Sequence, residues 1–119
     1  MAINTFSLKL IACLLMASQV LASETIITNR SDFENLVIDK KLERFLISLY
    51  ITDDGKIKGS AAGREVIGDW DWIDGFFCRS MLWGAREIKY NCQKVTFDGR
   101  RLRFISDQGK GQSASFALR

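Results

Sequence analysis

The run Gly68-Asp69-Trp70-Asp71-Trp72-Ile73-Asp74-Gly75-Phe76-Phe77-Cys78-Arg79 sets two half-apolar segments on either side of an Asp-Gly pair. Asp-Gly suits a two-residue type I′ turn, because both central residues of that turn need positive φ. With Asp74-Gly75 at the tip, Ile73 faces Phe76, Trp72 faces Phe77, Asp71 faces Cys78 and Trp70 faces Arg79. Side chains alternate across a strand, so Trp70 and Trp72 share one face while Asp69 and Asp71 share the other. The run therefore reads as an antiparallel hairpin.

The same signal recurs on both sides. Asp54-Gly55 and Asp98-Gly99 each lie between segments rich in β-branched and aromatic residues. With Asp98-Gly99 at a two-residue tip, Phe97 faces Arg100, Val95 faces Leu102 and Gln93 faces Phe104, while Lys94 faces Arg103. Strands are expected over 43–52, 56–62, 64–73, 76–83, 91–97, 100–106 and 112–118, with 84–90 as an irregular connection. One helix precedes them, from about Asp32 to Lys40. Ser31-Asp32-Phe33-Glu34 matches the S-x-x-E capping box, and Phe33, Leu36 and Val37 fall on one helical face. The expected fold is α+β and mainly β: one N-terminal helix and a six- or seven-stranded antiparallel meander forming a sheet or small barrel.

Met1 to Ala22 reads as a secretory signal peptide. Lys9 precedes the apolar run Leu10 to Ala17, and Val20 and Ala22 suit cleavage before Ser23. Leu10-Ile11-Ala12-Cys13 resembles a lipobox, but cleavage there would leave apolar Leu14-Leu15-Met16 on the mature chain. Residues 23–119 contain no linker or repeat and are expected to form one domain. They hold two cysteines, Cys78 and Cys92. An even count in an exported domain points to a disulfide, worth roughly 3 kcal/mol for a loop of this length. On the pairing above, the two cysteines fall on different hairpins. The localisation expected is periplasmic or secreted, with no stable membrane insertion after cleavage.

Composition removes several classes of function. The chain of 119 residues is 47% hydrophobic and 26% charged, which excludes a disordered tail, a collagen-like chain and a multi-pass membrane protein. It has no histidine, and so no His-based triad, ligand or proton shuttle. A formal charge of +3 is too small to point to nucleic acid. Gly109-Lys110-Gly111 precedes a strand and lacks the P-loop order, and no dinucleotide fingerprint is present. Ser113 and Ser115 have no base to activate them. Two cysteines without histidine cannot complete a zinc shell. No cofactor is expected.

Three clusters remain. Trp70, Trp72, Phe77 and Trp83, with Arg79 as a polar handle, suit an aromatic platform for a small ligand. The competing reading, which the residue types favour, is a core in which Arg79 stacks on Trp70. Asp69, Asp71 and Asp74 could bind Ca²⁺ or act as paired carboxylates, but charged strand edges are common without either. Arg100, Arg101 and Arg103, with Lys94 and Arg86, could form a basic patch for an anion, or a solvated hairpin face. Asn29-Arg30-Ser31 also matches a glycosylation sequon, a short pattern frequent by chance.

The pattern Gly68-x-Trp70-x-Trp72-x-Asp74-Gly75-x-Phe77-Cys78-Arg79, Trp83-Gly84, Asn91-Cys92-Gln93-x-Val95, Asp98-Gly99, Leu102-x-Phe104, Ser106-Asp107-x-Gly109-x-Gly111 and Ala114-x-Phe116-x-Leu118 resembles a group of small exported alphaproteobacterial proteins. The resemblance covers roughly residues 40–119. No activity comes with it. Members sometimes carry the label dihydrodipicolinate reductase, which this chain does not support: it lacks the nucleotide fingerprint and is too short for two α/β domains. A weaker likeness is to periplasmic lysozyme inhibitors of the small β-barrel kind, through size, export signal, a single disulfide and Asn91-Cys92-Gln93. The function expected is a non-enzymatic exported binding module for a small ligand or cell-envelope component. The alternative is an inhibitor or interaction partner of a cell-wall enzyme.

Overall fold

A computed structural model describes residues 23–119; the leader read over residues 1–22 lies outside them. The chain runs as β1 (Thr25–Ile27), α1 (Arg30–Val37), β2 (Leu42–Arg44), β3 (Ile47–Ile51), β4 (Lys56–Ala61), β5 (Arg64–Ile73), β6 (Phe76–Trp83), β7 (Arg86–Phe97), β8 (Arg101–Ile105), the single turn α2 (Ser106–Gly109) and β9 (Ser113–Leu118). Each strand from β2 to β9 pairs antiparallel with the next, and β9 returns to β2. The result is a closed, eight-stranded up-and-down barrel. β1 is a ninth strand, pairing with β7 just beyond the stretch that β6 occupies. Closure leaves few free strand edges to manage.

The Asp74-Gly75 hairpin has the expected register, with Trp72 opposite Phe77 and Trp70 opposite Arg79. Asp74 and Gly75 have φ of 51° and 86°, the positive pair that a type I′ turn needs. The Asp98-Gly99 hairpin does not follow the two-residue arithmetic. Val95 faces Phe104, Phe97 faces Leu102 and Lys94 faces Ile105. The Asp98 carboxylate accepts from the backbone N–H groups of both Arg100 and Arg101, at 2.8 and 2.7 Å. Those bonds lengthen the loop, shift the register by two and hold Asp98 below the usual carboxylate pKa range. At Asp54-Gly55, Gly55 donates to the Thr52 carbonyl at 3.3 Å and Ile51 pairs with Ile57, again a longer loop.

The strand number exceeds the expected six or seven for two reasons, the division of one expected strand and the addition of an outer one, and another expected strand is longer than read. Residues 43–52 divide at Phe45-Leu46, where Leu46 turns the chain with φ of 63°. Residues 86–90 belong to β7 and are not an irregular connection; a bulge opposite Ser80 disguises their alternation. Thr25–Ile27 adds the outer strand. The disulfide reading changes accordingly. Cys78 and Cys92 face each other across neighbouring strands of one hairpin, with the sulfurs at disulfide distance, and do not bridge two hairpins.

α1 starts and stops earlier than the capping box implies. Asn29 is the N-cap: its side-chain oxygen accepts from the Asp32 N–H at 2.9 Å. Glu34 instead pairs with Arg30 at 3.3 Å. Phe33 and Val37 have no exposed surface and point into the core with Leu42, Ile51, Ile57, Trp70, Phe77, Val95, Leu102, Phe104 and Phe116. The helix thus covers the barrel end where β5 finishes and β6 begins. Gly68 is fixed by close approach, since a Cβ there would collide with the Ser80 carbonyl and reach Met81 Cγ at 2.7 Å. Phe33→Ala should lower stability by about 3–5 kcal/mol in a denaturant titration, the usual cost of removing a buried phenylalanine. A loss under about 1 kcal/mol would show that the helix is not integral to the core.

Candidate functional site

The expected aromatic platform lies beneath α1. The Phe33 ring sits 5.4 Å from Trp70, 5.1 Å from Trp72 and 5.0 Å from Phe77, centroid to centroid. Trp70 donates its indole N–H to the Thr52 carbonyl at 2.9 Å, and Trp72 to the Thr28 carbonyl at 3.3 Å. Both indoles therefore tie the loops around the helix to the barrel rim. The cation over Trp70 is Arg30, at 4.6 Å, and not Arg79. Arg30 also bonds Asp71 at 2.9 Å and the Asp53 carbonyl at 3.3 Å, which clamps the helix start to β5 and to the β3–β4 loop. Trp83 lies apart from this group. Its indole donates to the Ala61 carbonyl at 2.7 Å, with Arg64 stacked on its ring at 5.2 Å.

Arg79 lies on the inward row of β6 between Phe77 and Met81. The interior beyond the Phe33 cluster is incompletely filled. A cavity of about 140 Å³ remains, walled by Leu49, Ile57, Phe77, Met81, Phe104 and Phe116, with Arg79 and Gln93 as its polar groups. Arg79 Nη1 donates to the Lys89 carbonyl at 2.8 Å, the group freed by the β7 bulge. No salt bridge to Arg79 forms among the described residues. Partial burial pushes the guanidinium pKa down from its ordinary value, though arginine keeps its charge. A cation beside an apolar cavity without a counter-ion favours an anion there.

A polar rim adjoins this cavity. Asn91, directly opposite Arg79, donates to Asp107 Oδ1 at 2.8 Å and accepts from the Asp107 N–H at 2.9 Å. Gln93 donates to the Ser106 hydroxyl at 3.2 Å. These bonds hold α2, whose Asp107 and Gln108 adopt left-handed backbone with φ of 55° and 56°. Such conformations cost roughly 1–2 kcal/mol per non-glycine residue and persist only where the surroundings enforce them. Asn91 and Gln93 reach α2 from the inner face, while Cys92 faces outward to Cys78. The period-two alternation with buried Val95 was the signal for this placement.

The charged clusters do not converge. Asp69 pairs with Lys56 at 2.6 Å and Asp71 with Arg30, while Asp74 stays in its turn. No grouping of three or more potential metal ligands occurs among the described residues. Arg103 pairs with Glu24 at 3.0 Å, Arg100 and Arg101 sit at the β7–β8 turn, and Arg86 opposite Trp83 lies at the other end of β7. Asn91→Ala should speed amide exchange across residues 106–111 and lower stability by about 1–2 kcal/mol. Unchanged exchange there would show that α2 keeps its shape without the Asn91 amide. Comparison with protein-family models, with curated proteins and with solved structures finds no match for this chain.

Proposed function

We propose that residues 23–119 form an exported, non-enzymatic binding module that takes a small apolar carboxylate into the barrel, with its anionic group against Arg79. The carrying observation is the unfilled interior of about 140 Å³ beside a half-buried guanidinium that lacks an anionic partner among the described residues. An eight-stranded barrel is just wide enough for its side chains to fill or for one small ligand to share. A cavity of this size accepts a single aromatic ring. Phe77, Phe104 and Phe116 would contact that ring, Gln93 would donate to one oxygen, and Arg79 would supply the charge-assisted bond. Trp70 and Trp72 act at one remove in this reading, as the packed end against which the ligand stops. The leader over residues 1–22 and the paired cysteines support export. No helix among the described residues is long and apolar enough to cross a membrane.

Benzoate and toluene separate charge from shape. Titrated into the protein and followed by NMR shifts of the Leu49 and Met81 methyls, benzoate should bind at least about tenfold more tightly than toluene, as expected for a partly dehydrated charged hydrogen bond. Arg79→Met should remove that preference while leaving toluene binding in place. Equal affinities for the two probes, or no shift with either, would overturn the reading. Thermal melting of Arg79→Met separates lost recognition from loss of the bond to the bulge carbonyl.

A further inference from the structure

The barrel closes through its shortest ladder. β2 and β9 share only the pairs Leu42–Leu118 and Glu43–Ala117, continued by backbone bonds of 2.9 and 3.0 Å between Lys41 and Arg119. β8, on the other side, pairs with β9 as far as Ser113. In an antiparallel ladder, alternate residues direct their N–H and C=O to opposite neighbours. Lys41 and Arg119 exchange both bonds, so Ala117, Ser115 and Ser113 also face the β2 side. Ala117 meets Glu43. Ser115 and Ser113 meet no strand on that side among the described residues.

A groove of about 680 Å³ runs along this edge, bounded by Arg44, Phe45, Arg101, Ser113, Ser115 and Arg119. Its chemistry is mixed in a specific way. Arg44 and Arg101 form no salt bridge among the described residues, and Arg119 shares Glu43 with Lys41. Phe45 is 87% exposed at the tip of the β2–β3 turn, beside Leu46 at 63%. Two apolar residues are thus held in water by a turn whose second position would suit glycine or asparagine better.

We propose that this seam is a docking edge for an extended acidic peptide segment of another protein, added as a strand along β9. Ser113 and Ser115 offer the main-chain donors and acceptors, Arg101 the charge complement, and Phe45 an apolar contact for an alternate side chain, while Arg44 stacks over the Phe116 ring at 5.7 Å and borders the groove. The groove and the interior cavity meet only at Ala114 of β9.

The probe is a fluorescein-labelled octapeptide alternating valine and glutamate, followed by fluorescence anisotropy against residues 23–119. Binding should weaken at least about tenfold when lysine replaces glutamate, and likewise with Arg101→Glu, whose side chain is exposed and away from the core. Two further peptides carry backbone N-methyl groups on the odd or the even residues. At least one of them should lose about tenfold or more, because strand addition needs every second N–H. Benzoate binding by Arg101→Glu should be unchanged. The proposal is overturned if both N-methylated peptides bind like the parent, which means charge attraction alone, or if the parent does not bind. It is also overturned if the groove is filled by a second copy, seen as concentration-dependent self-association that the peptide cannot displace.

Discussion

The insertion of Phe33 among Trp70, Trp72, Phe77 and Phe104 is the contact on which the rest of the molecule depends. A closed eight-stranded wall encloses more space than the inward residues of its own strands fill at that end. The helix supplies the missing volume from outside the barrel. Its position is not left to packing alone, since Arg30 joins Asp71, Asp53 and the Trp70 face. The large aromatics are concentrated at the helix end. Towards the opposite end, Leu49, Met81 and Ala114 leave the interior partly open. The cavity and its guanidinium follow from that unequal filling.

What could be read from the sequence follows from which interactions are local. Asp74-Gly75 gave the right register because a two-residue turn is specified by the φ preferences of its own residues. Asp98-Gly99 has the same dipeptide, but the Asp98 side chain captures two backbone N–H groups and makes a different loop. The bend at Phe45-Leu46 has no turn residue to announce it; Arg44 pairs with Ile47, and the two-residue link between them puts Leu46 in left-handed backbone. The β7 bulge hid the first part of that strand, residues 86–90, because one extra residue breaks a period of two. At the candidate site, the sequence pointed to Arg79 and Phe77 as neighbours. It could not show that Arg30, forty residues from Trp70 in the chain, would take the stacking position instead.

Asn91-Cys92-Gln93 shows how a short motif can serve two faces at once. The middle residue fastens the outside of the wall to β6 through Cys78, while its neighbours reach inward to fix Asp107 and Ser106. The left-handed turn of α2 is thereby connected to the same strand that carries the bulge and frames Arg79. Rigid support of this kind on one side of the interior contrasts with the β2–β9 side, where the ladder runs out after two pairs. The barrel has a stapled wall and a sparse one.

The sparse wall is also the one that costs most chain entropy to close. Every other ladder of the barrel joins segments adjacent in the chain, so each hairpin can form from nearby residues at small loop-closure cost. Within the eight-stranded wall, the joint between residues 41–43 and 117–119 is the one that connects distant parts of the sequence; β1 on β7 is the other long-range ladder among the described residues. Closing the curled sheet into a container therefore carries the largest loop-closure cost of any ladder in the wall. The joint that separates inside from outside spans the most chain and is held by the fewest strand pairs.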